Sequence, residues 1–315
     1  MDLKLQSSLL EFDPKYVSLL NSYPSKHYKV YKIPKRTIGF RTIAQPTKSV
    51  KKIQKELVKI LSNHLSIHKC ATAYIKDKSI KDNAIKHVKS EYLLKLDLED
   101  FFNSITPNVF FKAIKKQGII PSEDEAKILE QFLFWNRSKR VNGKLVLSVG
   151  APSSPFISNV IMYSFDKSMA EFCNQIGINY TRYADDLTFS SNAKGALFKH
   201  LEFVRRLLLK EFGTKIVLNE SKTVFSSKGH NRHITGITIS NNNRLSLGRD
   251  KKRYISALIH KFKLGLLSDE DIIHLHGLLA HAYHIEKSFL KRMSDKYSIN
   301  TMNAIKNFSK GAENG

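Results

Sequence analysis

At 315 residues the chain is long for one compact unit, and a 42% share of hydrophobic residues supplies a core without disulfide support. Lysine and arginine number 52 against 28 acids, a formal net charge of +24 that repels itself in a free monomer and points to a polyanionic companion, nucleic acid first. Two cysteines, Cys70 and Cys173, exclude a disulfide framework or a zinc site, and without a leader or a long apolar run the protein is expected in the cytoplasm with no membrane partner.

The charge is not scattered. Residues 14–55 hold eleven Lys or Arg and no acid, and residues 222–263 hold ten against Asp250 alone. Within the first basic stretch, residues 27–43 alternate polar and apolar around Pro34 and Gly39, which predicts a hairpin. Thr47 is placed to cap a helix with Val50, Ile53, Leu57, Ile60 and Leu61 on one face. Residues 92–98 read as a buried strand carrying Asp97. Pro107 and Gly118 bracket a helix, and Ser122 with Glu125 makes a capping box for the next.

Residues 155–176 form one long helical pattern stopped by Gly177, and residues 178–190 read as two strands around Ala184-Asp185-Asp186. A helix over about 195–212 precedes strands near 215–218, 222–226 and 234–239, and Asn241-Asn242-Asn243 signals a turn. From Arg249 the pattern is helical, with Ser268 and Asp271 as a second capping box, until a polar tail after about Asn303.

The acidic residues carry the chemistry. Asp185 and Asp186 at a hairpin tip repel each other, so a fold that keeps them there is expected to supply a cation. Asp97 ends a second strand and, by alternation, faces opposite to Leu96 and Leu98. Oxygen ligands from two strands are what two Mg²⁺ ions require for in-line phosphoryl transfer. A solvated Asp-rich turn is the plain alternative.

Tyr183-Ala184-Asp185-Asp186, the Asp97 strand, and Gly150-Ala151-Pro152-Ser153-Ser154-Pro155 together resemble the palm motifs of reverse transcriptases. The resemblance implies an α+β right-hand polymerase with fingers, palm and helical thumb, and Mg²⁺ as its cofactor. It assigns metal to Asp97, Asp185 and Asp186, with the backbone carbonyl of Leu98 as a further ligand. By the same resemblance Phe102 lies under the sugar and excludes a 2′-hydroxyl, although both Phe101 and Phe102 could instead be core. Arg41, with Lys35 or Arg36 as partner, would hold the incoming deoxynucleoside triphosphate, Gly150 would let backbone approach a nucleotide, and Lys222 would protonate pyrophosphate. Ser148-Val149 departs from the Pro-Gln of many relatives, which leaves Val149 without an inherited role.

Asn83-Ala84-Ile85-Lys86-His87 and Ile234-Thr235-Gly236 are similar to motifs of the bacterial retron enzymes. That likeness implies a cognate structured noncoding RNA as template and primer, a start from the 2′-hydroxyl of an internal guanosine, and a branched RNA–DNA product. It also implies a setting of antiphage defence with an effector or toxin protein. The basic run Arg249, Lys251, Lys252 and Arg253, beside Tyr254, would grip that RNA. A satisfied structural histidine at 87, a strand bulge at Gly236 and a merely solvated helix face are the competing readings. A compact group II intron-like or diversity-generating enzyme, or an RNA-binding scaffold restraining a toxin, is the alternative function. The expected division is fingers over 1–90, first catalytic strand over 91–106, a fingers insert over 107–147, palm over 148–240 and thumb over 241–315. The 75 residues after Ser240 are expected to leave no room for a nuclease or maturase domain.

Overall fold

The structure, a computed structural model, describes residues 3–35 and 39–308. Arg36 lies outside the described residues, while Lys35 is inside and exposed. Among the described residues no helix is long and apolar enough to cross a membrane.

Helices α1 (Leu5–Phe12) and α2 (Tyr16–Asn21) open the chain, and the basic hairpin follows as β1 (Tyr28–Pro34) and β2 (Phe40–Pro46), with Ile33 opposite Arg41. Helix α3 (Lys48–Ser62) buries Val50, Ile53, Leu57 and Leu61 as its spacing predicts, although Thr47 at its start makes no side-chain cap. A capping box between Ser79 and Asp82 starts the short α4 (Ile80–Ile85), ahead of strand β3 (Tyr92–Asp97). Helices α5 (Phe101–Ser104), α6 (Pro107–Lys116) and α7 (Glu123–Leu133) come next, α7 with its Ser122–Glu125 box, then a ribbon of β4 (Trp135–Asn136) and β5 (Leu145–Val146).

The single helix expected over 155–176 is two, α8 (Ser154–Ile161) and α9 (Tyr163–Gln175), joined at Met162. Ser158 donates its hydroxyl back to the Pro155 carbonyl at 2.8 Å, a competition with the helical ladder that favours a bend. Strands β6 (Asn179–Tyr183) and β7 (Asp186–Ser191) flank the acidic turn, and α10 (Ala196–Phe212) follows.

The strand expected at 215–218 is reduced to one bridge, Leu98 to Leu218, and Glu220–Lys222 is a 3-10 turn, so β8 (Val224–Ser227) starts later than its pattern suggests. The run 234–239 is not one strand. It belongs to a hairpin, β9 (Arg232–Ile234) and β10 (Ile237–Ile239), because Thr235 and Gly236 both take positive φ, 46° and 81°, as a tight two-residue turn requires. Strand β11 (Leu245–Ser246) closes that small sheet.

Four helices follow among the described residues, α11 (Arg249–Lys263), α12 (Asp269–Ile285), α13 (Lys287–Tyr297) and α14 (Ile299–Lys306), the last running three residues past Asn303, where a polar tail is expected to begin; residues 309–315 of that tail lie outside the described residues. At α12 the Ser268 hydroxyl accepts from the Asp271 N–H but itself donates to the Asp271 carboxylate, so only half of the expected box forms.

The central sheet is antiparallel in the order β6-β7-β3-β8. Its register sets Asp97 opposite Asp186 and Leu93 opposite Ser190, so the pleat sorts residues between two faces. Leu94 and Leu96 enter the larger core with α3, α6, α7 and α9, while Leu93 joins a second core with β9, β10 and the four C-terminal helices. Asp97, in step with Leu93 rather than Leu96, stands on the second face, as alternation predicts.

Helix α4 is pinned to that second face by a buried polar chain. His87 contacts the Thr181 hydroxyl through Nε2 at 2.7 Å and the Ser190 hydroxyl through Nδ1 at 2.8 Å. Thr181 in turn donates to Asn83 at 2.6 Å, so Nε2 carries the ring proton. Burial pushes the His87 pKa down to about 3 and keeps the ring neutral. The satisfied structural histidine was therefore the right reading of this position, and Gly236 marks a turn rather than a bulge.

His87→Leu should cost about 1–3 kcal/mol at pH 7, the usual penalty for stranding buried hydroxyls. Because the folded pKa is depressed, the stability that His87 gives is complete above its ordinary value near 6.5 and is lost as pH falls toward 3. Urea unfolding of both proteins at pH 7 and pH 5 should show the gap narrowing in acid, and a gap independent of pH would contradict this account.

Candidate active site

The three carboxylates stand where two strands end. Asp97 closes β3 and Asp186 opens β7 directly opposite it. The Leu98 N–H donates to the Asp185 carbonyl at 3.0 Å, while the Asp97 carbonyl accepts from Asn219 at 2.8 Å and Glu99 donates to Val217 at 2.9 Å. The end of β3 is thus clamped from both sides.

Beneath the turn, on the larger-core face, lies a fully buried ion pair. Arg182 of β6 sends Nη2 to Asp166 Oδ2 at 2.6 Å and Nε to both carboxylate oxygens at 3.0 and 3.1 Å. Tyr180 donates to the same carboxylate at 2.8 Å. The remaining arm, Nη1, donates to Asn159 Oδ1 at 2.9 Å and to the Ala184 carbonyl at 3.0 Å. Burial works against the guanidinium charge, but Asp166 outweighs it and holds the Arg182 pKa above its ordinary value. The turn at Ala184, with φ 55°, is held from within by this fork.

Above the turn the electrostatics are unfavourable. Loss of surrounding water, then Asp185 and Asp97, push the Asp186 pKa up to about 6, although its side chain reaches solvent at the tip. Asp185 is raised too, by desolvation first and Asp97 after it, against the pull of Lys222 and Arg41. A cation already answers this charge: Lys222 Nζ bonds both oxygens of Asp97 at 3.0 and 3.1 Å. Among the described residues no three His, Cys, Asp or Glu side chains close into a ready cage. Mg²⁺ is usually held by one or two carboxylates completed by water and substrate phosphates, so hard oxygens at an open, negative strand end suit it.

The Reverse transcriptase (RNA-dependent DNA polymerase) family model matches residues 33–239. The chain belongs to the reverse transcriptase family. Retron Ec83 reverse transcriptase of Escherichia coli is 53% identical over 311 residues, covering 99% of this chain and all of that protein. Retron Ec73 reverse transcriptase, also of Escherichia coli, is 32% identical over 85% of this chain and 86% of its own length. These likenesses place it among the bacterial retron reverse transcriptases, as an RNA-directed DNA polymerase that copies an RNA template with divalent metal ions. The right-hand fold is shared with telomerase from Candida albicans in complex with a TWJ fragment of telomeric RNA, at a TM-score of 0.50 and 12% identity over 95% of this chain, which spans 65% of that one.

The other residues singled out in this reverse transcriptase fall into two groups. Arg41 on the fingers hairpin is exposed and acts electrostatically on Asp185, and Phe102 is half-buried, edge-on to a Phe101 that lies fully in the core. The two phenylalanines are therefore not equivalent. Gly150, with φ 127°, makes its close approach to protein: a Cβ there would stand 3.0 Å from the Ala44 carbonyl of β2. Val149 next to it accepts the Ala44 N–H at 2.9 Å, so this position links palm loop to fingers through its backbone. In the thumb, Arg249, Arg253 and Tyr254 are exposed, but Lys252 is half-buried against Glu286 at 2.8 Å and Lys251 faces His281 at 3.3 Å.

Sequence reasoning passed over Asn159, Asp166 and Arg182. A signal existed: Asn159 and Asp166 stand seven residues apart on one side of an apolar helical run, and an arginine interrupts a strand of otherwise uncharged residues.

Asp166→Asn should destabilise the reverse transcriptase by about 3–5 kcal/mol, because it leaves a buried guanidinium without its counter-charge. Chemical denaturation checks the figure, and a loss under about 1 kcal/mol would mean that Arg182 can reach water.

Proposed function

We propose that this enzyme makes single-stranded DNA from a cognate structured noncoding RNA, with Asp97, Asp185 and Asp186 holding Mg²⁺ and the Leu98 carbonyl as a further ligand. The observation that carries the site assignment is the gathering of three carboxylates where β3 ends and β7 begins, with Asp185 and Asp186 raised by desolvation first and by their acidic neighbours after it, and with Lys222 on Asp97. Bound there, two Mg²⁺ ions would activate the primer hydroxyl and neutralise the triphosphate. Arg41 orients the triphosphate of the incoming deoxynucleotide through its guanidinium fork. Phe102, the half-buried member of its pair, bars a ribose 2′-hydroxyl. Lys222, held on Asp97, supplies pyrophosphate with its proton. Residues 1–90 and 107–147 serve as fingers, 91–106 and 148–240 as palm, and 241–315 as thumb.

On this reading synthesis starts at the 2′-hydroxyl of an internal guanosine and leaves a branched RNA–DNA molecule, in the cytoplasm, in the service of antiphage defence with an effector protein. Full-length likeness to Retron Ec83 reverse transcriptase supports it more than the Asn83 and His87 motif, whose side chains are spent on anchoring α4.

Replacing Asp185 and Asp186 together with Asn should abolish extension of a primed RNA template in Mg²⁺ while RNA binding persists. In metal-free buffer the variant should also be the more stable protein at pH 7. A raised carboxylate pKa makes the charged form a cost that is absent below about 3.8 and complete above about 6, so the gain should vanish in acid. Substantial extension by the variant would remove these residues from the metal site.

The priming claim is tested by coexpressing the protein with its neighbouring genomic sequence and treating the product with an enzyme that cleaves 2′–5′ linkages. Release of DNA from RNA is expected. Arg249→Gln with Arg253→Gln, which spares the internally paired Lys252, should weaken cognate-RNA binding and flatten its salt dependence. DNA joined to RNA only through a 3′ end would favour the intron-like alternative.

A further inference from the structure

Residues 70–73 form an unlabelled extension of the palm sheet. The Arg182 N–H donates to the Cys70 carbonyl at 3.0 Å, and the Arg182 carbonyl accepts from the Thr72 N–H at 2.8 Å and the Thr72 hydroxyl at 3.0 Å. The bridge between Ala71 and Arg182 is parallel, so this segment leaves the sheet at the same end as β6, where the carboxylates are. Asn159 then holds the Ala73 carbonyl through Nδ2 at 2.9 Å while its Oδ1 accepts from Arg182 Nη1. That same Nη1 holds the Ala184 carbonyl. One pair of buried side chains therefore fixes the carbonyl just before Tyr74 and the carbonyl just before Asp185.

Tyr74 is delivered to this rim under constraint. Its φ is 61°, unusual for an aromatic residue, and Lys78 ties the loop back by donating to the Ala71 and Lys69 carbonyls at 3.0 and 2.9 Å. Its ring is 54% exposed, although so large an apolar surface in a fixed loop is ordinarily tucked away. Burial of its inner side, then Asp185 and Tyr183, raise its pKa against the pull of Arg41, which keeps the phenol neutral and out of proton transfer. What it offers is a half-exposed flat face close enough to Asp185 and Arg41 to feel the charge of both.

We propose that Tyr74 packs this face against the terminal base pair of the primer–template and so decides which primer ends are extended. The inference rests on the assignment of Asp97, Asp185 and Asp186 as the point of addition. The triphosphate is the poorer partner for the ring, because a polyanion is met by the guanidinium of Arg41 and leaves the aromatic face unused. A base pair has an apolar face and arrives beside Asp185 whenever a primer hydroxyl does. Every base has such a face, so the contact tolerates sequence and responds to geometry.

The test compares wild type, Tyr74→Ala and Tyr74→Phe on synthetic primed RNA templates with matched and mismatched 3′ ends. Affinity is read by fluorescence anisotropy without nucleotide, and extension by single-turnover kinetics in Mg²⁺. Tyr74→Ala should bind primer–template about tenfold more weakly, within the range for losing one stacked aromatic. Its ratio of mismatched to matched extension should rise severalfold, and Tyr74→Phe should restore both. An Ala variant with wild-type affinity and an unchanged ratio overturns the proposal, as does one whose activity falls only in step with its melting temperature while the ratio stays fixed. Extension of the same substrates by the protein with Asp185→Asn and Asp186→Asn would instead overturn the carboxylate assignment, leaving the anisotropy result to judge Tyr74.

Discussion

The buried pair between Arg182 and Asp166 is the constraint on which the rest of the molecule depends. A guanidinium without solvent is tolerable only if its donors are met, and here they are met by a carboxylate, an amide and the Ala184 carbonyl of the acidic turn. The network spans β6, both halves of the bent helix and residues 70–73. The bend at Met162 belongs to it, since Asn159 and Asp166 sit on successive helices and both reach one arginine. Lysine could not replace Arg182, because a single ammonium cannot serve three directions at once.

The sheet separates support from chemistry by its two faces. On one, Arg182, Leu94 and Leu96 are buried with the helices that stabilise the palm. On the other, Asp97 and Asp186 face outward at one end, while further along the same face Leu93 and Ser190 receive the second core and α4. The C-terminal helices reach this anchor too, where His284 meets the Ser79 hydroxyl at 3.1 Å. The C-terminal helices and the central sheet are thus linked through a helix of six residues.

Much of this was legible because local chemistry and tertiary role agree. Capping at Ser122, the stripe of α3 and the strand–turn–strand at Asp185 are short-range patterns, and each forms as its pattern dictates. The failures have physical causes. Residues 215–218 look like a strand, but β3 is already paired there by only one bridge, and the chain turns to bring Lys222 to Asp97. Residues 234–239 alternate like one strand, yet a non-glycine residue at positive φ makes a hairpin that propensity does not foresee. Arg182, Asn159 and the orientation of Tyr74 depend on partners 16, 23 and 86 residues away in sequence, and alternation cannot disclose those. For the site itself, the carboxylates and their mutual repulsion were readable, but the seat of Lys222 on Asp97 was not.

Gly150 shows how inheritance should treat these two kinds of residue differently. Its lack of a side chain is demanded by the protein's own backbone at Ala44, with or without a substrate. Asp185 and Asp186 are the reverse, two carboxyls whose charge burdens the fold and whose proposed use is catalytic. In a lineage that kept this protein for binding and abandoned synthesis, selection would hold Gly150 and Arg182 in place while the paired aspartates drifted first. Loss of function here would be written in the acids, and a surviving glycine would testify only to the shape of the hand.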